Sequence, residues 1–253
     1  MKLTVLGSGN GTPNLKRKSS SYLLEFNTKK ILIDCGSGTT FQLEKLKKGL
    51  YKDLDYIFIT HTHADHISDL MYLIHAIGEP FFLTKERERK IFTIGPPQFQ
   101  KLYNILTEDV FSHKDKKEFD EIIEFKLKNE YDGFTVESFK TIHTDNSYAL
   151  KFKVNDKTIV FSSDTGYSEG FTEFSKNADL LILECTINTT NKEHWEGHLN
   201  AEQCAKIAKE GKSKQLVLTH LPADEEDNQK KLEIVKKEFE NVSLAYDLME
   251  IEL

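Results

Sequence analysis

A chain of 253 residues can bury one large core or two small ones, and 38% hydrophobic with 30% charged residues describes a folded globular protein, not a disordered or fibrous one. A formal net charge of −7 argues against a protein built mainly to grip nucleic-acid backbone, which needs many cationic contacts. No apolar run approaches the roughly 18 to 20 residues of a membrane span, and the three cysteines, odd in number and without C-x-x-C spacing, suggest neither a disulfide framework nor a thiolate zinc site.

Segments of strand character open the chain at Leu3 to Leu6, Ser21 to Phe26 and Lys30 to Asp34, each closed by turn-forming residues. The first of these reaches the glycine turn at Gly7 too early for a signal-peptide core of about 7 to 15 apolar residues. A cytoplasmic location is therefore expected. Thr39 to Lys48 has the mixed periodicity of a surface helix, Leu54 to Thr60 is an apolar run that fits a buried strand, and a second helix is expected from Ile67 to Ile77. Lys90 to Ile94 reads as a strand, Gly95-Pro96-Pro97 as a stiff turn and Gln98 to Leu106 as a helix. Four strands should follow, at Ile122 to Leu127, Phe134 to Ile142, Tyr148 to Val154 and Lys157 to Ser162, the last two joined through Asn155-Asp156. Leu180 to Glu184 is another buried strand. Asn200 caps a helix running to Glu210, Gln215 to Thr219 forms a strand, and a helix at Glu225 to Phe239 precedes a closing strand.

No linker or low-complexity tract interrupts this order, so one domain is expected over residues 1–253, with two sheets packed face to face and helices outside. Lys16-Arg17-Lys18 and Lys85-Glu86-Arg87-Glu88-Arg89-Lys90 are candidate local basic patches, although the second alternates in sign and fits a solvated face.

The run His61-Thr62-His63-Ala64-Asp65-His66 places three imidazoles and a carboxylate where an apolar strand ends. Packing cannot satisfy all of them on so short a loop, whereas imidazole nitrogen and carboxylate oxygen suit zinc, with manganese or iron as alternatives. His143, Asp164 and His220 also stand at the ends of apolar strands. Singly, each has an ordinary reading as a hydrogen-bonded or turn residue.

Together with Leu6-Gly7-Ser8-Gly9, Ile33-Asp34-Cys35-Gly36-Ser37-Gly38-Thr39, Gly95-Pro96-Pro97, His143 before Ser147-Tyr148, Ser163-Asp164-Thr165 and Gly197-His198-Leu199-Asn200-Ala201, the pattern resembles the metallo-β-lactamase superfamily, in its RNase Z-like branch of phosphodiesterases. The resemblance implies an α/β (α+β) fold, a four-layer αββα sandwich, with two divalent metal ions at the edge of the sheets. It implies that His61, His63 and His143 bind one ion, that Asp65, His66 and His220 bind the other, and that Asp164 bridges them, with Asp34 orienting ligands. A metal-bridging hydroxide would then attack phosphorus, Asp65 would accept a hydrogen bond from it, and Glu184 would charge His198 as general acid for the leaving oxygen. His75, His113 and His194 match no motif and are read as structural or solvated.

Within that branch the expected substrate is a phosphodiester, either a small or cyclic molecule or RNA. Enzymes that process tRNA precursors usually carry a Gly- and Pro-rich arm, and the branch motif has Glu where Ser37 stands, so the tRNA 3'-endonuclease is the second expectation. A lactone or thioester hydrolase comes third, because the same hydroxide attacks carbonyl carbon. A non-catalytic metal-binding protein is the alternative of another class. Relatives of the branch are often dimers, which makes a homodimer an expectation, with no membrane partner.

Overall fold

The computed structural model describes residues 1–84, 90–109, 123–125, 130–191 and 196–253, with backbone alone for 79–84, 106–109, 123–125 and 130. His113, His194 and most of the Lys85–Lys90 run lie outside the described residues. The strands are β1 (Lys2–Gly7), β2 (Ser21–Phe26), β3 (Lys29–Ile33), β4 (Tyr56–Phe58), β5 (Ile91–Ile94), β6 (Ile123–Phe125), β7 (Glu130–Tyr131), β8 (Phe134–Lys140), β9 (Tyr148–Val154), β10 (Lys157–Phe161), β11 (Leu180–Glu184), β12 (Leu216–Thr219), β13 (Val242–Leu244) and β14 (Met249–Glu252). The α-helices are α1 (Thr39–Leu46), the single turn α2 (Ala64–Ile67), α3 (Leu70–Thr84), α4 (Pro97–Asp109), α5 (Glu169–Phe174), α6 (Ala201–Glu210) and α7 (Glu225–Lys236). None of the described helices is long and apolar enough to cross a membrane.

The chain gathers into two compact units, one of residues 1–7, 18–127 and 248–252, the other of residues 8–17, 128–247 and 253. The first unit holds a seven-stranded sheet in the order β14-β1-β2-β3-β4-β5-β6. Its β1, β2 and β3 form an antiparallel meander, and β3 to β6 run parallel. Apolar side chains of these strands, among them Leu23, Leu32 and Ile57, pack with Leu43 of α1, Leu73, Ile74 and Ile77 of α3 and Phe99 of α4 in one core. Pro97 opens α4, where a missing N–H costs nothing and the fixed φ suits the first turn.

The second unit holds the sheet β13-β12-β11-β10-β9-β8-β7. Its β10, β11, β12 and β13 are parallel to one another, and β9 lies antiparallel to both β8 and β10. Every residue of β11 and β12 is buried, which their near-continuous Leu, Ile and Val content permits. Helix α6 turns Cys204, Ala205, Ile207 and Ala208 into a core with Leu181, Leu183, Leu216 and Leu218. Asn200 and Gln203 cap its start reciprocally, side chain to backbone in both directions, a device that stabilises a helix by about 1 kcal/mol.

The parallel pairing fixes where chemistry can collect. In the first unit the carboxyl ends of β3 and β4 lie side by side and lead into Asp34 and His61. In the second, β8, β10, β11 and β12 all point the same way, and the residues that follow or end them are His143, Asp164, Glu184 and His220. Such carboxyl ends are where open parallel sheets present ligand groups.

Candidate metal centre

In the first unit, the backbone continues from β4 through Ile59 and Thr60 to His61, which is fully buried, and then turns into α2, whose first and last turns carry Asp65 and His66. The rings of His61 and His66 stand 4.1 Å apart, and those of His61 and His63 4.8 Å apart. Gly36 allows this loop to lie close to the end of β3, since a Cβ there would sit 2.1 Å from the Asp65 carbonyl oxygen.

Asp34 organises the cluster. Its Oδ2 accepts from His66 Nδ1 (2.7 Å) and from the Thr60 hydroxyl (2.9 Å), and its Oδ1 accepts from the Thr60 backbone N–H (2.8 Å). A carboxylate only accepts, so His66 carries its proton on Nδ1 and keeps its lone pair on Nε2. The Thr60 hydroxyl gives its one proton to Asp34 and therefore accepts from His61 Nδ1 (3.2 Å), which leaves the His61 lone pair on Nε2 as well.

The second unit repeats this logic. His143 Nδ1 donates to the Gly197 carbonyl (3.0 Å) and His198 Nδ1 donates to Glu184 Oε1 (2.7 Å). His220 Nδ1 meets the Thr186 hydroxyl at 2.8 Å, and that hydroxyl donates to Glu184 Oε2 at 2.7 Å. Glu184 is fully buried and also accepts the backbone N–H groups of Thr165 and Thr186. Glu184, His198 and His220 offer ligand-type atoms within 4.8 Å of one another.

Backbone strain aims several of these side chains. Asp34, Ser163 and His220, each just past a strand, have φ of 55°, 55° and 54°, in the left-handed region. For residues other than glycine this costs on the order of 1 to 3 kcal/mol and persists where surrounding bonds over-determine it. At His220 the following N–H, of Leu221, is held by the Ser8 carbonyl (2.9 Å), which gives the Leu6-Gly7-Ser8-Gly9 motif a structural role. Ser8 is fixed in turn by Asp247 and by Arg17, whose guanidinium also pairs with Glu225 through two bonds of 2.8 Å. Arg17 is thus a buried structural cation, which corrects the reading of Lys16-Arg17-Lys18 as a basic patch.

The donor set fits a divalent ion. Ligand atoms about 2.0 to 2.2 Å from a tetrahedral zinc lie about 3.3 to 3.6 Å from each other. His143 Nε2 to Asp164 Oδ2 is 3.6 Å, His220 Nε2 to Asp164 Oδ1 is 3.4 Å, and His66 Nε2 to Asp65 Oδ2 is 3.6 Å. These separations are long for hydrogen bonds and right for atoms that share an ion. Burial pushes the Cys35 and Cys204 thiols well above the usual thiol range.

The first unit therefore brings together His61, His63, Asp65 and His66, and the second brings together His143, Asp164, Glu184, His198 and His220. His75 lies on the exposed face of α3. Neither Thr60, read only as the end of a strand, nor Thr186 is given a site role by the sequence. Their signal was adjacency alone, one threonine before His61 and one two residues after Glu184.

Comparison with known proteins places the chain in a family. A crystal structure of the metallo-β-lactamase fold protein YhfI from Bacillus subtilis superposes with a TM-score of 0.81 at 27% identity, over 99% of each chain. In sequence, the probable metallo-hydrolase YhfI of Bacillus subtilis is 33% identical over 226 residues, 88% of this chain and 87% of that one. A ribonuclease Z of Archaeoglobus fulgidus is 26% identical across all of this chain and 97% of its own. Fold and relatives define the class, a metallo-hydrolase of the metallo-β-lactamase superfamily in its RNase Z-like branch, with divalent-metal ligand clusters. Within it the chain belongs to the family described as anti-Pycsar protein Apyc1, which matches residues 1–239.

Proposed function

We propose that the two units are halves of one hydrolase domain that cleaves phosphodiesters with two divalent ions, zinc by its ligand types. His61, His63 and His143 would hold one ion, Asp65, His66 and His220 the other, with Asp164 shared. When bound, the ions supply positive charge that neutralises phosphoryl oxygens and makes hydroxide available from water near neutral pH. The chain's own residues do the rest. Asp34 holds His61 and His66 with their lone pairs at Nε2, and Asp65 accepts a hydrogen bond that orients the attacking water.

The observation that carries the phosphodiester reading is the 2.7 Å bond between His198 Nδ1 and Glu184 Oε1. Glu184 orients His198 through its Nδ1–H, and a proton on His198 Nε2 would pass to the leaving oxygen as its bond to phosphorus breaks and the bond from water forms. A good acyl leaving group needs such an acid less. His198 keeps 17% of its side chain exposed, so a substrate oxygen can reach it.

A small or cyclic phosphodiester is the leading substrate class, in a cytoplasmic enzyme that acts alone or as a homodimer. A tRNA 3'-endonuclease is the second reading, supported by the ribonuclease Z relative that spans this whole chain. The metal-loaded protein should be assayed in parallel on bis(p-nitrophenyl) phosphate, a cyclic nucleotide, precursor tRNA and a lactone. Cleavage of the first two with little turnover of lactone is expected. Lactone turnover without phosphodiester cleavage contradicts the proposal, and processing of precursor tRNA alone moves it to the second reading.

A further inference from the structure

Asp34 and Glu184, each in its own unit, are wired alike. Each accepts one imidazole Nδ1 directly and one threonine hydroxyl, and that hydroxyl lies beside a second imidazole Nδ1. In the second unit the partners are His198, Thr186 and His220. The Thr186 hydroxyl has a single proton and two acceptors in reach, Glu184 Oε2 at 2.7 Å and the His220 carbonyl at 3.3 Å. A short bond to a carboxylate is about twice as strong as one between neutral groups, so the proton goes to Glu184. His220 Nδ1, 2.8 Å from the same oxygen, must then be the donor.

We propose that Thr186 is a positioning residue whose hydroxyl links Glu184 to His220, holding that imidazole as the Nδ1–H tautomer with its lone pair at Nε2, so that one carboxylate sets both the proton donor His198 and the ligand His220. This rests on the roles given to His198 and His220 above. A competing reading makes Glu184, His198 and His220 themselves a cation site. All of the Glu184 oxygen capacity, however, is taken by donors, Oε1 by Thr165 N–H and His198, Oε2 by the Thr186 N–H and hydroxyl.

Thr186 is itself clamped. Lys231 of α7, wholly buried, donates to the carbonyls of Cys185 (2.9 Å) and Thr186 (3.3 Å). Its ion partner Asp227, 3.7 Å away, accepts the Thr189 N–H, so the backbone after β11 is held at two points. A buried ammonium is costly unless it is paired and hydrogen-bonded, and here it stiffens the segment that carries the hydroxyl. The left-handed backbone at His220 fixes the other end of the link.

The test compares wild type with Thr186→Val, which keeps the shape and removes the hydroxyl, and Thr186→Ser, which keeps the hydroxyl. Long-range proton–nitrogen NMR on the metal-free protein reads the His220 tautomer, and competition against a chromophoric chelator reads zinc affinity. Wild type and Thr186→Ser should show His220 as Nδ1–H. Thr186→Val should shift it toward Nε2–H and weaken zinc binding by about 10- to 100-fold. Should that variant not fold, Thr186→Ala removes the same hydroxyl and is read identically. An unchanged tautomer and affinity in the hydroxyl-free variant overturns the proposal, as does a Thr186→Ser protein equally impaired, which would assign the effect to the methyl group. If loaded wild type cleaves no phosphodiester, the proposed activity fails while the tautomer and affinity readouts still decide this one.

Discussion

Asp34 bonds three groups of the first unit, His66, the Thr60 hydroxyl and the Thr60 N–H, through two oxygens. Replacing it by Asn turns one acceptor into a donor that faces another donor. Asp34→Asn should therefore release His66 or His61 from the Nε2-lone-pair form and weaken metal binding by about 10- to 100-fold, measured by chelator competition. Unchanged affinity would remove Asp34 from the centre. His198 predicts the opposite pattern. His198→Asn should lower phosphodiester hydrolysis by about 10²- to 10⁴-fold while the metal content stays at the wild-type level. A parallel loss of metal would make His198 a ligand instead. At this scale the sequence was informative where chemistry was dense. Three histidines and an aspartate in six residues have few uses other than a metal. Thr60 and Thr186 escaped notice because a threonine beside a strand end is ordinary β-strand composition, and only the hydrogen-bond directions distinguish them.

At the scale of elements, the His198 loop crosses the turn after β10. A Cβ on Gly166 would lie 1.7 Å from the Glu196 carbonyl oxygen, backbone against backbone. Gly166→Ala should push residues 196–198 aside, destabilise the fold by about 1 to 3 kcal/mol and cost on the order of 10²-fold in rate, since small misplacements of an acid are expensive. Urea unfolding with parallel rate measurement checks this, and a wild-type rate would show that the loop has slack. Strands with strong apolar runs were legible almost to the residue, β9 and β11 fully so. Helix α5 was missed because its six residues fall below the window in which periodicity can be counted. The helix expected from Ile67 to Ile77 is α3, which begins at Leu70 after the single turn α2 ends at Ile67. The strand expected at Ile122 to Leu127 reads as the first of four consecutive strands, but its described part, Ile123–Phe125, pairs with β5 in the other sheet, a long-range choice that local pattern does not encode.

At the scale of the molecule, the acidic net charge hid a buried cation network that ties chain-distant parts of the second unit. Arg17 holds Glu225 at the start of α7 and, through Ser8, the turn after His220. The Arg17 guanidinium beside Glu225 holds that carboxyl below its usual value of 4.5. A folded pKa below the unfolded one means that this contribution is fully present above pH 4.5 and is lost as pH falls through the lowered value. Acid unfolding of wild type should thus show a stability loss below pH 4.5 that Glu225→Gln lacks. Identical acid limbs would show that the pair contributes nothing.

The proposed holding of two ions by the ligands of both units is tested most directly by counting the ions. Metal-free protein dialysed to equilibrium against zinc and analysed for metal per chain should hold two ions, both removable by chelator with loss of phosphodiester cleavage. A chain that saturates at one ion or none would contradict the account.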